Sequence, residues 1–330
     1  MLSNQTARER LDEVMRGYQA SIVLLAAGKV GVFAALARES QTAAELADTL
    51  SLDPRALEIV LLALAADGFL EQEGDRFRIA AAYAPHLLPA SPETLASILN
   101  HNHTCMLRWS ALAEVLRTGK PAPRATPQPE GPELRDFICG MENLSRTSSA
   151  EVAEKIDMSP YRRLLDLGGG PGTSSLVFAR RYPELSCVVY DLPGPLAIAR
   201  EQIAAAGLGA RVSTKSGDFL TDDLGDGYDL VYISNIIHSL GPADVSLLLR
   251  KVHGALVPEG TVMMKDMFLE DSRIRPRFAA VFSVNMLTAT AAGKSYTFSE
   301  TRQILAERGF HEFSSVPIAS NSAVLMARRA

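Results

Sequence analysis

Residues 164–173, which read Leu-Leu-Asp-Leu-Gly-Gly-Gly-Pro-Gly-Thr, decide the fold of this chain. The apolar residues predict a short buried strand. The glycines that follow let the backbone turn sharply and approach a ligand closely. A helical pattern resumes at Ser174. A strand, a glycine turn and a helix in this order are typical of ligand-binding α/β domains, but a glycine turn alone is a weak signal, so its surroundings decide its meaning.

Three later segments predict strands that end at polar residues. Residues 186–190 lead to Asp191, which can accept hydrogen bonds from both hydroxyls of a ribose. The next segment ends at Asp218 and Phe219, and residues 228–235 lead directly to His238. Because open parallel sheets bind ligands at the carboxyl ends of their strands, we expect these side chains to lie along one edge.

From about residue 160 onward, predicted strands alternate with predicted helices, which indicates an α/β domain with a mainly parallel sheet covered on both faces. The end of the chain differs, because residues 313–318 and 323–327 predict two strands joined by a short turn. The sheet should therefore finish in an antiparallel hairpin. This ending favours a Rossmann-like methyltransferase sheet over a nicotinamide-binding sheet.

The first ninety residues predict a winged helix. Thr42 and Glu45 form a capping box that begins one helix, and Asp53 with Pro54 begins the next. The second of these helices, residues 55–66, is apolar almost all round, so we expect it to be buried. Residues 69–78 then predict a hairpin that turns at Gly74.

The charge of this predicted winged helix argues against binding to DNA. Residues 1–90 contain 8 Lys or Arg against 12 Asp or Glu, and Arg55 is the only base in the candidate recognition helix. A recognition helix needs basic side chains that can reach phosphates and base edges. The apolar surface instead favours packing against another subunit.

Between these two parts the chain predicts helices at residues 93–118 and 133–158, separated by a loop at 117–132 that contains five prolines. We therefore predict three segments. Residues 1–100 form the winged-helix domain, residues 101–158 a helical linker that lines a pocket, and residues 159–330 the α/β domain.

The composition is that of an ordinary globular protein, with 47% hydrophobic and 22% charged residues. The net charge of −5 gives no general attraction to nucleic acid or to an anionic membrane. The N-terminus mixes acidic and basic residues, unlike a signal peptide, and no apolar run is long enough to span a bilayer. Three widely spaced cysteines predict reduced thiols, so we expect a cytoplasmic protein.

Taken together, the chain resembles the dimeric O-methyltransferases of plant and bacterial secondary metabolism. These combine a winged-helix dimerisation domain with a class I methyltransferase domain. The matching residues are Phe137 with Met141, the glycine turn, Asp191, Asp218 with Phe219, and His238. The resemblance implies a homodimer that transfers a methyl group from S-adenosylmethionine to a hydroxyl of a small aromatic or polyketide-like metabolite. The product is S-adenosylhomocysteine, and no metal takes part.

The resemblance also implies roles for individual residues. Eight residues would bind the cofactor: Ser145, Gly168, Gly170, Asp191, Leu192, Asp218, Phe219 and Ser234. Of these, Ser234 stands where relatives often have a basic residue. Six residues would contact the acceptor: His103, Phe137, Met141, Phe282, Asn285 and Met286.

His238 matches the general base of the family, and Asp266 stands where relatives have an acidic residue that orients the histidine. A histidine with an unperturbed pKa of about 6.5 can be neutral at working pH and accept the proton of a hydroxyl group. The chain departs from the family at Ser239 and Leu240, which replace Asp-Trp, and at Ser295, where relatives often have a second carboxylate.

Alternatives stay open at this point. The departures allow methylation of carbon or nitrogen, a reaction that transfers no methyl group, or a ligand-binding dimer without catalysis. His238 could instead be a core or capping histidine, and Asp191 and Asp218 could serve ordinary turns. His101 and His103 suggest a metal site, but their spacing points the rings to different faces of a helix, so we expect none.

Overall fold

The computed structural model describes residues 6–123, 131–319 and 321–330. These residues form two compact units, residues 1–107 and 108–330. We call them the N-terminal unit and the C-terminal unit. The predicted division into three segments stays a prediction, and part of the predicted proline-rich loop lies outside the described residues.

The N-terminal unit consists of short helices and a small three-stranded sheet. In chain order its elements are α1 (Ala7–Arg16), α2 (Tyr18–Lys29), α3 (Val32–Ala35), β1 (Gln41–Thr42), α4 (Ala43–Leu50), α5 (Pro54–Ala66), β2 (Leu70–Glu73), β3 (Arg76–Ile79), α6 (Ala84–Leu87) and α7 (Ala96–Trp109). The predicted capping box opens α4, the Asp53 side chain caps α5, and β2 and β3 form the predicted hairpin.

The prediction that the helix at residues 55–66 is buried is wrong for the single chain. Helix α5 buries Leu57, Leu61 and Leu64, but Ile59 and Leu62 on its other face are 54% and 43% exposed. Within the chain, the described residues cover only the face of α5 that carries Leu57, Leu61 and Leu64. The uncovered face is available to another molecule.

The C-terminal unit is an α/β domain. Its elements are α8 (Leu112–Thr118), α9 (Gly131–Lys155), β4 (Arg163–Leu167), α10 (Thr173–Arg181), β5 (Ser186–Asp191), α11 (Pro193–Ala205), β6 (Val212–Ser216), β7 (Tyr228–Ser234), α12 (Pro242–Ala255), β8 (Leu256–Asp266), α13 (Arg277–Ala289), α14 (Phe298–Glu307), β9 (Phe310–Ile318) and β10 (Ser322–Arg329). A 3₁₀ turn, Ile237–Ser239, follows β7.

The seven strands lie in the order β6-β5-β4-β7-β8-β10-β9. Strands β4 to β8 are parallel, and β10 pairs antiparallel with both β8 and β9, so the predicted fold class and the predicted terminal hairpin are confirmed. One hydrophobic core covers each face of the sheet. Helices α12 and α14 cover the face of Val231 and Met264, and helices α9, α10 and α11 cover the face of Tyr232 and Met263.

Candidate active site

The glycine turn between β4 and α10 lies at the carboxyl edge of the sheet. Gly168 and Gly170 have φ angles of 68° and 54°, in the left-handed region that favours glycine. A Cβ atom on Gly168 would also overlap the side chain of Ile236. The backbone N–H of Gly170 points along the edge and donates a hydrogen bond of 2.8 Å to Asp191 Oδ2.

Asp191 ends β5 and is fixed by main-chain donors on both oxygens. Its second oxygen, Oδ1, accepts a hydrogen bond of 2.7 Å from the N–H of Leu192. Burial raises the pKa of Asp191, and the two N–H donors act in the opposite direction. Because a carboxylate has about four acceptor positions, this side chain can still accept two further hydrogen bonds, for example from a pair of vicinal hydroxyls.

The segment after β6 carries the next predicted pair. Asp218 Oδ1 accepts a hydrogen bond of 2.8 Å from the N–H of Leu220, which is the ordinary turn contact that any aspartate could make here. The Lys251 ammonium holds the carbonyl of Phe219 at 2.7 Å. The ring of Phe219 lies 4.0 Å from the position that a Cβ of Gly168 would take. A flat apolar surface therefore lies beside the glycine turn.

The contacts of two other predicted cofactor residues, Ser234 and Ser145, do not indicate a ligand. Ser234 is half-buried at the end of β7. Ser145 lies on α9, where its hydroxyl donates a hydrogen bond of 2.8 Å to the carbonyl of Met141. This hydroxyl proton is thus used inside the helix, so the role of Ser145 stays a prediction.

His238 and Asp266 form a buried pair at the ends of β7 and β8. His238 Nδ1 lies 2.7 Å from Asp266 Oδ1, and the His238 backbone N–H donates to Asp266 Oδ2 at 3.4 Å. The N–H of Met267 also donates to Oδ1, at 2.8 Å. The His238 and Asp266 residues are 9% and 3% exposed. A carboxylate at Nδ1 selects the neutral tautomer with the proton on Nδ1, which leaves the lone pair on Nε2.

His238 Nε2 is the chemically available atom of this pair. Among the residues that the structure describes, none makes a hydrogen bond to it. The ring of Phe282 on α13 packs edge-on against the imidazole at 4.8 Å between centroids. Gly293 lies so close that a Cβ there would overlap the His238 carbonyl. The imidazole is therefore held on several sides, with one nitrogen unused.

The remaining predicted acceptor residues occupy different positions. Asn285 Oδ1 accepts a hydrogen bond of 3.0 Å from Trp109 Nε1, and Met286 is 7% exposed on the same helix, α13. Phe137 and Met141 are half-buried on α9. His103 is half-buried on α7 and belongs to the N-terminal unit, so its role stays a prediction.

The departures from the family pattern have structural consequences. Ser295 is buried, and its hydroxyl donates to the carbonyl of Ala279 at 2.8 Å. Lys294 beside it pairs with Glu300 at 2.9 Å. Ser239 donates its hydroxyl proton to the carbonyl of Ile236 at 2.7 Å. These residues serve local structure, so within the described part of the chain the Asp266 carboxylate is the one bonded to His238.

Two charged residues of the site were missed in the sequence. Asp166 in β4 is fully buried, accepts a hydrogen bond of 2.7 Å from Ser175, and packs under Gly169; burial raises its pKa to about 6. Lys265 in β8 is 4% exposed. A charged residue inside an otherwise apolar strand is a visible signal in both segments, and it could have indicated them.

A family model described as the O-methyltransferase domain matches residues 122–311 of this chain, and one described as the O-methyltransferase dimerisation domain matches residues 12–86. The chain belongs to the O-methyltransferase family. It is an S-adenosylmethionine-dependent methyltransferase, so the predicted enzyme class and cofactor are confirmed.

Three known proteins illustrate the similarity. A 3-hydroxy-5-methyl-1-naphthoate 3-O-methyltransferase from Streptomyces sahachiroi is 34% identical over 95% of this chain and 92% of its own. The N,N-dimethyltransferase OxyT from Streptomyces rimosus is 30% identical over 78% of each chain. Human N-acetylserotonin methyltransferase, solved with S-adenosylmethionine, has a TM-score of 0.86 at 23% identity with full coverage of both chains, which shows a common fold.

The residues of this O-methyltransferase fit its cofactor. A nucleoside needs acceptors for its ribose hydroxyls and an apolar surface for its base, and the edge of the sheet offers Asp191 and the ring of Phe219 beside a glycine turn. Among the described residues no group of three or more His, Cys, Asp or Glu could hold a metal ion. None of the described helices is long and apolar enough to cross a membrane.

Proposed function

We propose that this O-methyltransferase methylates a hydroxyl on a small aromatic acceptor and that His238 removes the proton of that hydroxyl. One observation carries the proposal: Asp266 holds Nδ1 of a buried imidazole at 2.7 Å and leaves Nε2 without a hydrogen bond from the described residues. Nε2 is not among the buried polar atoms without a partner in the described residues, so the hydroxyl of a small molecule can reach it.

We assign the cofactor to the glycine turn and to the ends of β5, β6 and β7. When bound, S-adenosylmethionine supplies a methyl group already activated by its sulfonium. In this assignment Asp191 accepts hydrogen bonds from the ribose, and the segment of Asp218 and Phe219 holds the adenine. The close backbone of Gly168 and Gly170 leaves room for the nucleoside. Leu192, Ser145 and Ser234 complete the proposed contacts.

Proton removal matters because a phenol has a pKa of about 10 and is mostly neutral at working pH. His238 Nε2 accepts the hydroxyl proton, and Asp266 stabilises the imidazolium that forms and keeps the ring in its orientation. The packing of Phe282 against the imidazole excludes water from one side. The chain thus aligns the acceptor oxygen and exposes its lone pair.

An aromatic acceptor is supported by the side chains around the proposed base. Phe282 packs on His238, and Met286 lies one helical turn further along α13. The relative from Streptomyces sahachiroi, which acts on a hydroxynaphthoate according to its name, is 34% identical to this chain. We include Phe137, Met141, Asn285 and His103 among the proposed contacts of the acceptor.

A second candidate is methylation of nitrogen, which the similarity to the N,N-dimethyltransferase OxyT favours. The experiment that separates the two uses S-adenosylmethionine labelled with ¹³C in its methyl group and a set of acceptors with either hydroxyl or amino groups. Methoxy carbon in the product spectrum supports our proposal. N-methyl or C-methyl carbon, or loss of cofactor without methylated product, contradicts it.

We further propose that the protein is a homodimer in the cytoplasm. The dimerisation domain supports this, because the outer faces of α1 and α2 expose a row of apolar side chains: Leu11, Val14, Met15, Tyr18 and Ile22. All three cysteines are free thiols, in keeping with a reducing compartment. Light scattering at micromolar concentration should give twice the chain mass, and a mass of 35.6 kDa would exclude the dimer.

A further inference from the structure

Lys265 is a buried cation that the proposed mechanism does not use. It is the residue before the last in β8, follows the apolar run Val262, Met263 and Met264, and is 4% exposed. Burying an ammonium group is expensive unless a counter-charge and hydrogen bonds compensate for the lost water.

The partners found for Lys265 do not neutralise its charge. Its Nζ donates one long hydrogen bond, 3.5 Å, to Asn235 Oδ1. Among the described residues no carboxylate oxygen lies within 4 Å of Nζ. Asp266 is next in the chain, but successive side chains of a strand point to opposite faces, and Asp266 is already bonded to His238 and Met267. Burial lowers the pKa of Lys265, and Asp266 opposes this shift.

A second unsatisfied group lies on the same face of the sheet. Ser234 of β7 is the register partner of Lys265, and Tyr232 precedes Ser234 by two residues, so the three side chains share one face. The hydroxyl of Tyr232 is fully buried and makes no hydrogen bond within the described residues. Burial raises the pKa of Tyr232, and the nearby hydroxyls of Ser234 and Ser174 act in the opposite direction.

We propose that Lys265, with the hydroxyls of Tyr232 and Ser234, forms a carboxylate subsite at the ends of β7 and β8, on the face of the sheet opposite the Asp266 side chain. We call these three residues the Lys265 patch. A carboxylate supplies the missing negative charge and accepts several hydrogen bonds at once. This inference rests on the proposed function. Two ligands of the reaction can bring the group: the amino-acid end of S-adenosylmethionine, or an acceptor that carries a carboxylate as well as its hydroxyl.

Calorimetric titration of the cofactor tests the first source. Lys265→Met removes the charge and keeps the length of the side chain, and Lys155→Met makes the same change at an exposed ion pair with Glu151 as a control. If the cofactor brings the carboxylate, Lys265→Met weakens S-adenosylmethionine by about 10- to 100-fold. Decarboxylated S-adenosylmethionine should then bind the wild type and both variants alike.

Titration of the acceptor into protein loaded with S-adenosylhomocysteine tests the second source. The probes are 3-hydroxy-1-naphthoate and 2-naphthol, which differ only by the carboxylate. If the acceptor brings the group, Lys265→Met weakens the naphthoate by about 10- to 100-fold and leaves 2-naphthol unchanged. In that case S-adenosylmethionine and its decarboxylated form keep their wild-type affinities.

Thermal unfolding without ligands separates a binding role from a structural one. Lys265→Met should unfold at a higher temperature than wild type, because it removes a buried unpaired charge. If Lys265→Met fails to fold, Lys265→Arg retains a cation and should keep the carboxylate preference. The inference is overturned if neither pair of ligands shows a loss specific to the carboxylate. If neither 3-hydroxy-1-naphthoate nor 2-naphthol binds to the wild type, the aromatic acceptor of the proposed function is rejected. The cofactor titration then still decides whether Lys265 binds a carboxylate.

Discussion

Two carboxylates at the same edge of the sheet, the half-buried Asp191 on β5 and the buried Asp266 on β8, have different kinds of partner. Both oxygens of Asp191 accept hydrogen bonds from main-chain N–H groups. Asp266 instead holds an imidazole, together with two main-chain donors. The cofactor side of the edge is therefore built mainly by backbone geometry, and the acceptor side depends on a few side chains.

This difference predicts which substitutions affect cofactor binding and which affect turnover. On the cofactor side, a substitution should alter affinity for S-adenosylmethionine. On the acceptor side, a substitution should alter turnover and leave that affinity unchanged. A variant that changes both quantities equally would show that the two regions act as one site.

The largest effect is expected for the proposed base. His238→Ala should lower kcat by about 10²- to 10⁴-fold, because it removes the group that accepts the proton. The affinity for S-adenosylmethionine, measured by calorimetry, should stay within about twofold of wild type. Asp266→Asn should lower kcat by a smaller factor, because it disturbs the orientation of the His238 imidazole but leaves the base in place. A larger loss for Asp266→Asn than for His238→Ala would contradict the assigned roles.

The next effect concerns the cofactor side. Asp191→Ala should weaken S-adenosylmethionine by about 1.5–3 kcal/mol, because hydrogen bonds to a charged acceptor are strong. The substitution also removes the acceptor of the hydrogen bond from the Gly170 N–H. Asp75→Ala, in the exposed turn between β2 and β3, is the matched control and should change nothing. Unchanged affinity in the Asp191 variant would remove this residue from the cofactor site.

A third effect concerns the pH dependence of stability and involves neither binding nor turnover. Burial raises the pKa of Asp166 from 3.8 to about 6, so between these values the folded protein holds a proton that the unfolded chain has lost. Stability should therefore fall by about 3 kcal/mol as pH rises through this window. Asp166→Asn should flatten that slope in urea unfolding, and Asp75→Asn should not. Equal slopes in wild type and Asp166→Asn would contradict a neutral Asp166 at low pH.

The cofactor side of the sheet edge, which is built mainly by backbone geometry, could be predicted well from the sequence. Glycine turns and helix caps are local features, so residues 164–173 and the capping box at Thr42 were sufficient to predict them. The pairing of His238 with Asp266, which are 28 residues apart, was predicted from the family resemblance. The structure brings the two together because they follow or end neighbouring strands, β7 and β8.

Burial was harder to predict, because it depends on which elements happen to cover a side chain. Helix α5 was expected to be buried and exposes Ile59, because an apolar sequence does not show which face of a helix another element will cover. Lys265 was not considered, because a lysine in a strand is usually at the surface and only the assembled sheet shows that this one is enclosed. The hydrogen bond from the Ser145 hydroxyl to the carbonyl of Met141 was not predicted either, because the sequence indicates a helix here but not its side-chain contacts.

The role of His238 as the base is tested most directly by changing the acceptor as well as the enzyme. Single-turnover rates of wild type and His238→Ala are compared for 2-naphthol and for a nitronaphthol that is already ionised at the assay pH. We predict a large loss of rate for 2-naphthol and a small loss for the ionised acceptor, which has no proton to give up. Equal losses for the two acceptors would contradict proton removal by His238.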